Sequence, residues 1–182
     1  MKFHTAVVCA CVMLIGGSAA AQSPAAGSAS AGIKQNWATA ARNIRESAAL
    51  MDEGKYGFRP VSSVRTFGQI LAHVAGASYV FCSAAKGETS PFSEDHFEKS
   101  ATTKAAIVKA VNDSIAYCDG AYDALTDARA AEPITMPFGM GNAPRAAVLV
   151  MNFGHLQEHY GNLVTYFRIN GIVPPSSAQR TP

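Results

Sequence analysis

Apolar residues recur at spacings of three and four in four long segments of the chain. From 33 to 51 the row is Ile33, Trp37, Ala40, Ile44, Ser47 and Met51, one stripe on a helix of 3.6-residue period. Gly54 and Gly57 close it, and residues 56–65, with Pro60, read as a loop. The second segment opens on Thr66-Phe67-Gly68-Gln69. This is a capping box, in which the threonine hydroxyl takes an orphan N–H and the glutamine reaches back. Phe67, Ile70, His73, Val74, Ala77 and Phe81 follow on one side, and the helix is expected to end near Lys86-Gly87. The third segment, about 102–126, carries Ile107, Val111, Ser114, Cys118, Tyr122 and Leu125. The fourth is expected to start at Asn142 with Pro144 in its first turn. It runs to about Asn170, where Gly171 caps it and Pro174-Pro175 stops it. No run alternates over strand length. The pattern predicts an all-α fold, a four-helix bundle with two long connections at about 86–100 and 127–141. Connections of that length are often functional. The second holds Met136-Pro137-Phe138-Gly139-Met140, which either covers a site or packs over the bundle end.

The start of the chain has a different pattern. Lys2 precedes a short apolar run, Val7 to Ile15, then Gly16-Gly17-Ser18 and Ala19-Ala20-Ala21. This reads as a secretory signal peptide over residues 1–21, cleaved after Ala21. The run is far short of the roughly 20 residues a membrane span needs. Residues 22–32, rich in Ala, Ser, Pro and Gly, read as a disordered linker. Residues 33–175 suit one folded domain, and 176–182 a flexible tail. The expected location is periplasmic or secreted. Cleavage would remove one of the 15 basic residues and none of the 13 acidic ones, leaving a near-neutral chain. No basic stripe is present, which argues against nucleic acid as a partner.

Two cysteines remain after the leader, Cys82 and Cys118. They lie equally far along their helices, counted from Thr66 and Thr102. If the long connection lets those helices run parallel, the cysteines reach similar heights. A disulfide and two small buried hydrophobes are both compatible with that spacing.

The histidines carry the candidate chemistry. His155 and His159 are four apart, so on a helix they share a face. Val148, Met151, Asn152, Asn162 and Tyr166 lie near that face, which is expected to point inward; Gly154 and Gly161 would let a neighbouring helix approach. His73 sits between Ile70 and Ala77 on the core stripe of the second helix. A lone buried histidine is more often structural than a ligand. Three inward-facing ones point instead to a single divalent metal ion, with His73, His155 and His159 as ligands. Three neutral nitrogens leave a coordination position open, as in catalytic rather than closed structural sites. Zinc and nickel both suit imidazole. His96 lies among Glu94, Asp95 and Glu98 and reads as a solvated residue. His155-x-x-Glu158-His159 also has the form of an inverted zinc-protease motif. No acid follows His159 to serve as a downstream ligand, so Glu158 reads as an orienting carboxylate or a solvent-facing charge. Covalent haem and di-iron motifs are absent.

Phe67-Gly68-Gln69-Ile70-Leu71-Ala72-His73-Val74-Ala75 resembles the second-helix motif of the DinB/YfiT-like superfamily. His155-Leu156-Gln157-Glu158-His159-Tyr160-Gly161-Asn162-Leu163, through Arg168, resembles its last-helix motif. The resemblance spans about 33–175. It implies an up-down-down-up bundle with parallel second and third helices, a three-histidine metal site on His73, His155 and His159, and a homodimer. Some relatives are metal-dependent transferases acting on small thiols, or isomerases using them, and are largely cytoplasmic. The expectation is therefore a metal-dependent hydrolase or thiol-type transferase, with a small-molecule substrate of unknown identity. Glu158, Asn162 and Tyr166 are the candidate orienting or catalytic groups. The alternative is a non-catalytic exported metal-binding or structural bundle.

Overall fold

The computed structural model describes residues 27–178; the expected leader, most of the linker and residues 179–182 lie outside them. Four long helices make the bundle: α1 (Ala29–Leu50), α2 (Phe67–Lys86), α4 (Lys104–Asp123) and α6 (Arg145–Ile169). The first connection contains a short helix, α3 (His96–Ser100). The second contains α5 (Asp127–Ala130) and two three-residue strands, β1 (Pro133–Thr135) and β2 (Asn142–Pro144). A last turn, α7 (Pro175–Ala178), follows α6.

The caps follow the expected chemistry at α2. Thr66 and Gln69 form the reciprocal capping box, and Gly87 ends the helix in a left-handed conformation at φ 76°. Two boundaries differ. α1 starts at Ala29 because Ser28 Oγ accepts from Ala31 N–H and Ser30 N–H donates to Asp127 Oδ1, so residues 29–32 of the expected linker are helical. Asn142 does not cap α6. It pairs with Thr135 in an antiparallel hairpin, and α6 begins three residues later behind Pro144. The expected tail also begins as structure, since Ser176 N–H donates to Tyr160 Oη at 2.8 Å in α7.

Cross-helix contacts fix the directions. Lys34 reaches the Asp123 carbonyl, Trp37 donates to Asp119, and Arg45 to Asn112, so α1 and α4 run in opposite directions. Gly68 lies against Ile107 near the helix starts, and Cys82 is joined to Cys118 further along, so α2 and α4 run the same way. Phe67 meets Phe167 while Arg145 binds the Ala85 carbonyl, so α6 runs against α2. The disulfide settles the choice that cysteine spacing left open. Asn152 turns its amide towards both sulfurs and Tyr122 Oη. Most of α2 is buried. It is the one described helix long and apolar enough to cross a membrane, and 83% of its apolar window is buried inside the bundle.

Candidate metal centre

α2 and α6 place the three histidines opposite one another. His73 follows Ile70 on the buried face of α2. His155 and His159 sit one turn apart on α6, with Leu156, Tyr160 and Leu163 buried beside them. Nε2 of His155 lies 3.0 Å from Nε2 of His73 and 3.1 Å from Nε2 of His159. Ring centroids are 4.4–4.9 Å apart. The three ligand atoms fall within 4.8 Å of one another.

Three lone-pair-bearing nitrogens facing each other are unfavourable unless a proton or cation lies between them. Nitrogens bound at about 2.0–2.1 Å to one shared ion lie about 3 Å or slightly more apart, which these separations match. Burial keeps the imidazoles unprotonated, with their lone pairs available. His155 is pushed down to about 3, by burial first and then by the neighbouring imidazoles and the Arg65 charge. His159 is pushed down to about 4, chiefly by burial and His73. Burial and Arg65 also lower His73, against the opposing carboxylates of Glu94 and Glu98. All three are neutral near pH 7, the form that binds metal.

The outer face of the centre is built by residues that sequence reasoning missed. Glu98, on α3, has Oε1 3.2 Å from His73 Nδ1. The contact is close but out of line with the ring N–H, and the inner Nδ1 atoms of all three histidines lack an aligned partner. The other Glu98 oxygen accepts from Arg65 Nε at 3.0 Å. The Arg65 carbonyl in turn accepts from Tyr166 Oη at 2.8 Å. Glu94 Oε1 is 3.6 Å from His73 Nε2. These acids are brought in by Gly76, one turn after His73. A Cβ there would sit 2.0 Å from the Glu94 carbonyl oxygen, so only glycine lets the 93–98 segment lie on α2. A glycine on an otherwise buried helix face was the one available signal. His96, read as solvated, stacks on Phe92 at 4.6 Å and takes no part in the trio.

The α6 candidates separate. Tyr166 is buried, with its hydroxyl committed to the Arg65 carbonyl. Glu158 and Asn162 are exposed and border a cavity shared with His159 and Arg65. Glu158 makes no hydrogen bond or ion pair among the described residues, so the carboxylate beside an imidazole is Glu98 instead. The shared face is also less inward than expected, since Met151 and Asn162 are exposed. Among the described residues no helix approaches Gly154 or Gly161, as nothing there lies within 4 Å of a Cβ at either. The 133–144 hairpin leaves Phe138 exposed with its ring 5.8 Å from Phe81, which lies 5.7 Å from His155.

The fold is shared with solved structures at low sequence identity. A DinB-like protein from Bacillus cereus ATCC 10987 is similar with a TM-score of 0.64 at 16% identity, over 80% of this chain and 95% of that one. A DinB-family member from Exiguobacterium sibiricum 255-15 gives 0.60 at 16%, over 78% and 91%. A mycothiol-dependent maleylpyruvate isomerase gives 0.59 at 16%, over 78% of this chain and 63% of the isomerase. This chain thus spans less than two thirds of that enzyme. No curated protein matches in sequence. The family model for the DinB superfamily matches residues 36–163, an interval that contains all four bundle helices in part or whole and every histidine of the trio, and the chain belongs to that superfamily.

Proposed function

We propose that the chain is an exported metal-dependent enzyme, a hydrolase or a thiol-type transferase, in which His73, His155 and His159 hold one divalent ion, zinc or nickel. The convergence of three imidazoles carries this reading, with His73 Nε2 and His159 Nε2 at 3.0 and 3.1 Å from His155 Nε2. An ion held by three imidazoles with a position open would supply Lewis-acid chemistry, acidifying water or receiving a substrate thiolate. The chain's own residues do the rest. Glu98 lies 3.2 Å from His73 Nδ1, where it would orient the ring with Nε2 towards the other two. Arg65 fixes Glu98, and Tyr166 fixes the backbone of Arg65. Phe81 and the hairpin keep one side of the trio apolar. The similarity to a thiol-dependent isomerase fold favours a thiol substrate without specifying it. The signal-peptide pattern expected over residues 1–21 supports a reaction outside the cytoplasm.

Metal analysis of the full chain, purified without chelator, tests the reading. The expected content is close to one equivalent; less than about a tenth of any transition metal would sink it, since a preformed three-imidazole site retains its ion. His73→Ala, His155→Ala and His159→Ala should each lower metal content.

A non-catalytic metal site is the second reading, favoured by one observation. Glu94 Oε1 lies 3.6 Å from the metal-facing nitrogen of His73, and a carboxylate in the remaining position would close the shell. Glu94→Gln separates the two. Metal affinity unchanged by it leaves the position open for chemistry, whereas a tenfold or greater loss supports closure.

A further inference from the structure

The cavity beside His159 has a chemistry of its own. It measures about 740 Å³ and is bounded by the 56–66 loop on one side and α6 on the other, within the size range of small-molecule sites. Arg65 is its single cationic wall residue. Two bonds fix this residue. Nε donates to Glu98 Oε2 at 3.0 Å, and the carbonyl accepts from Tyr166 Oη at 2.8 Å. Its Nη atoms make no hydrogen bond with a described residue, and the side chain is 44% exposed. A guanidinium held by Nε and backbone, with its outer fork free beside a candidate reaction centre, is pre-organised for a second planar anion. Ile70 and the Tyr166 ring give the cavity apolar wall, while Asn162 supplies a free amide.

We infer that this cavity binds a small carboxylate-bearing molecule, its carboxylate on the Nη fork of Arg65 and its other end directed to the His159 corner. Local charge favours a monoanion. A divalent ion and Arg65 balance Glu94, Glu98 and Glu158, so a doubly charged phosphate would leave a larger uncompensated charge. Glu158, on the α6 wall, disfavours a second acidic group on the ligand and favours an amine there. The inference rests on the proposed function for the reacting end alone; the carboxylate anchor is made by protein.

Butyrate, butylamine and inorganic phosphate, titrated by NMR into the full chain in zinc-loaded and chelator-treated forms, provide the test. Butyrate should bind at least tenfold more tightly than butylamine or phosphate. Arg65→Gln should abolish that preference. Arg65→Lys keeps the charge but not the fork and should lose several-fold. Glu98→Gln loosens the guanidinium but keeps it, so in the chelator-treated form butyrate should bind more weakly while its preference over butylamine persists. Equal binding of butyrate and butylamine, tighter phosphate binding, or an Arg65→Gln protein that keeps the preference would overturn the inference. Zinc retention without a carboxylate preference fails this inference alone. A preference in a protein that binds no metal fails the metal reading alone and leaves the anchor standing.

Discussion

At the scale of single residues, the centre depends on which nitrogen of each imidazole is free. A carboxylate at Nδ1 holds the ring as the Nδ1–H tautomer and leaves Nε2 to donate. Among the described residues, Glu98 is the carboxylate nearest His73 Nδ1, at 3.2 Å, and a small rotation of its side chain would bring it into line with the ring N–H. Glu98→Gln is therefore expected to weaken metal affinity by about 10–100-fold, read by competition against a chromophoric chelator. Affinity within twofold of wild type would show that Glu98 does not orient the ring. The depressed histidines also give the metal-free protein a defined acid sensitivity. Their folded values, about 3 for His155 and about 4 for His159, lie below an unfolded value near 6.5. Between those limits the unfolded chain takes up protons that the folded chain refuses. Stability is thus fully present above pH about 6.5 and is lost as pH falls towards 3. Urea midpoints of chelator-treated protein from pH 7.5 to 4 should fall more steeply for wild type than for a His155→Gln/His159→Gln variant. Parallel curves would show that burial does not hold these rings neutral.

At the scale of elements, the long helices could be read from periodicity and caps because those signals are local. Thr66 with Gln69 marks the start of α2 and Gly87 its end, as the structure has them. The hairpin could not be read that way. Three-residue strands have no alternation to detect, and Asn142 and Pro144 carry the residue types of a helix start although they pair with Thr135 and Pro133. The acidic segment escaped for a related reason. Glu94 and Glu98 look solvated along the chain, and only the seat at Gly76 turns them towards His73. That seat makes a prediction. Gly76→Ala forces a methyl group onto the Glu94 carbonyl, an overpacking that costs about 1–3 kcal/mol. It should also lower metal affinity, because the displaced segment carries Glu98. Denaturation and chelator competition measure the two effects. A stable Gly76→Ala protein with wild-type affinity would show that the segment is not seated by that glycine.

At the scale of the whole molecule, the four long helices followed from periodicity, whereas their relative directions were implied only by the resemblance to the DinB/YfiT-like motifs, and the meeting of the histidines rested on that resemblance together with their inward-facing stripes. The disulfide followed from neither, because equal height along two helices leaves the facing direction undetermined. The structure joins α2 to α4 at Cys82 and Cys118, 36 residues apart. Closing a loop of that size removes denatured-state entropy worth about 3–4 kcal/mol in the chain-entropy account. The link lies on the helix that carries His73, whereas His155 and His159 are on α6, which it does not touch covalently. Its loss should therefore act first on global stability and on the centre only through unfolding. Cys82→Ala/Cys118→Ala is expected to lower the urea midpoint substantially. Below that midpoint, the fraction that remains folded should bind metal with wild-type affinity. A variant that stays as stable as wild type would remove the link from the fold's energetics. One that is stable but binds metal poorly would mean that the cysteines hold α2 in register with α6, and that the position of His73 is set by the bridge more than by the packing of its own helix.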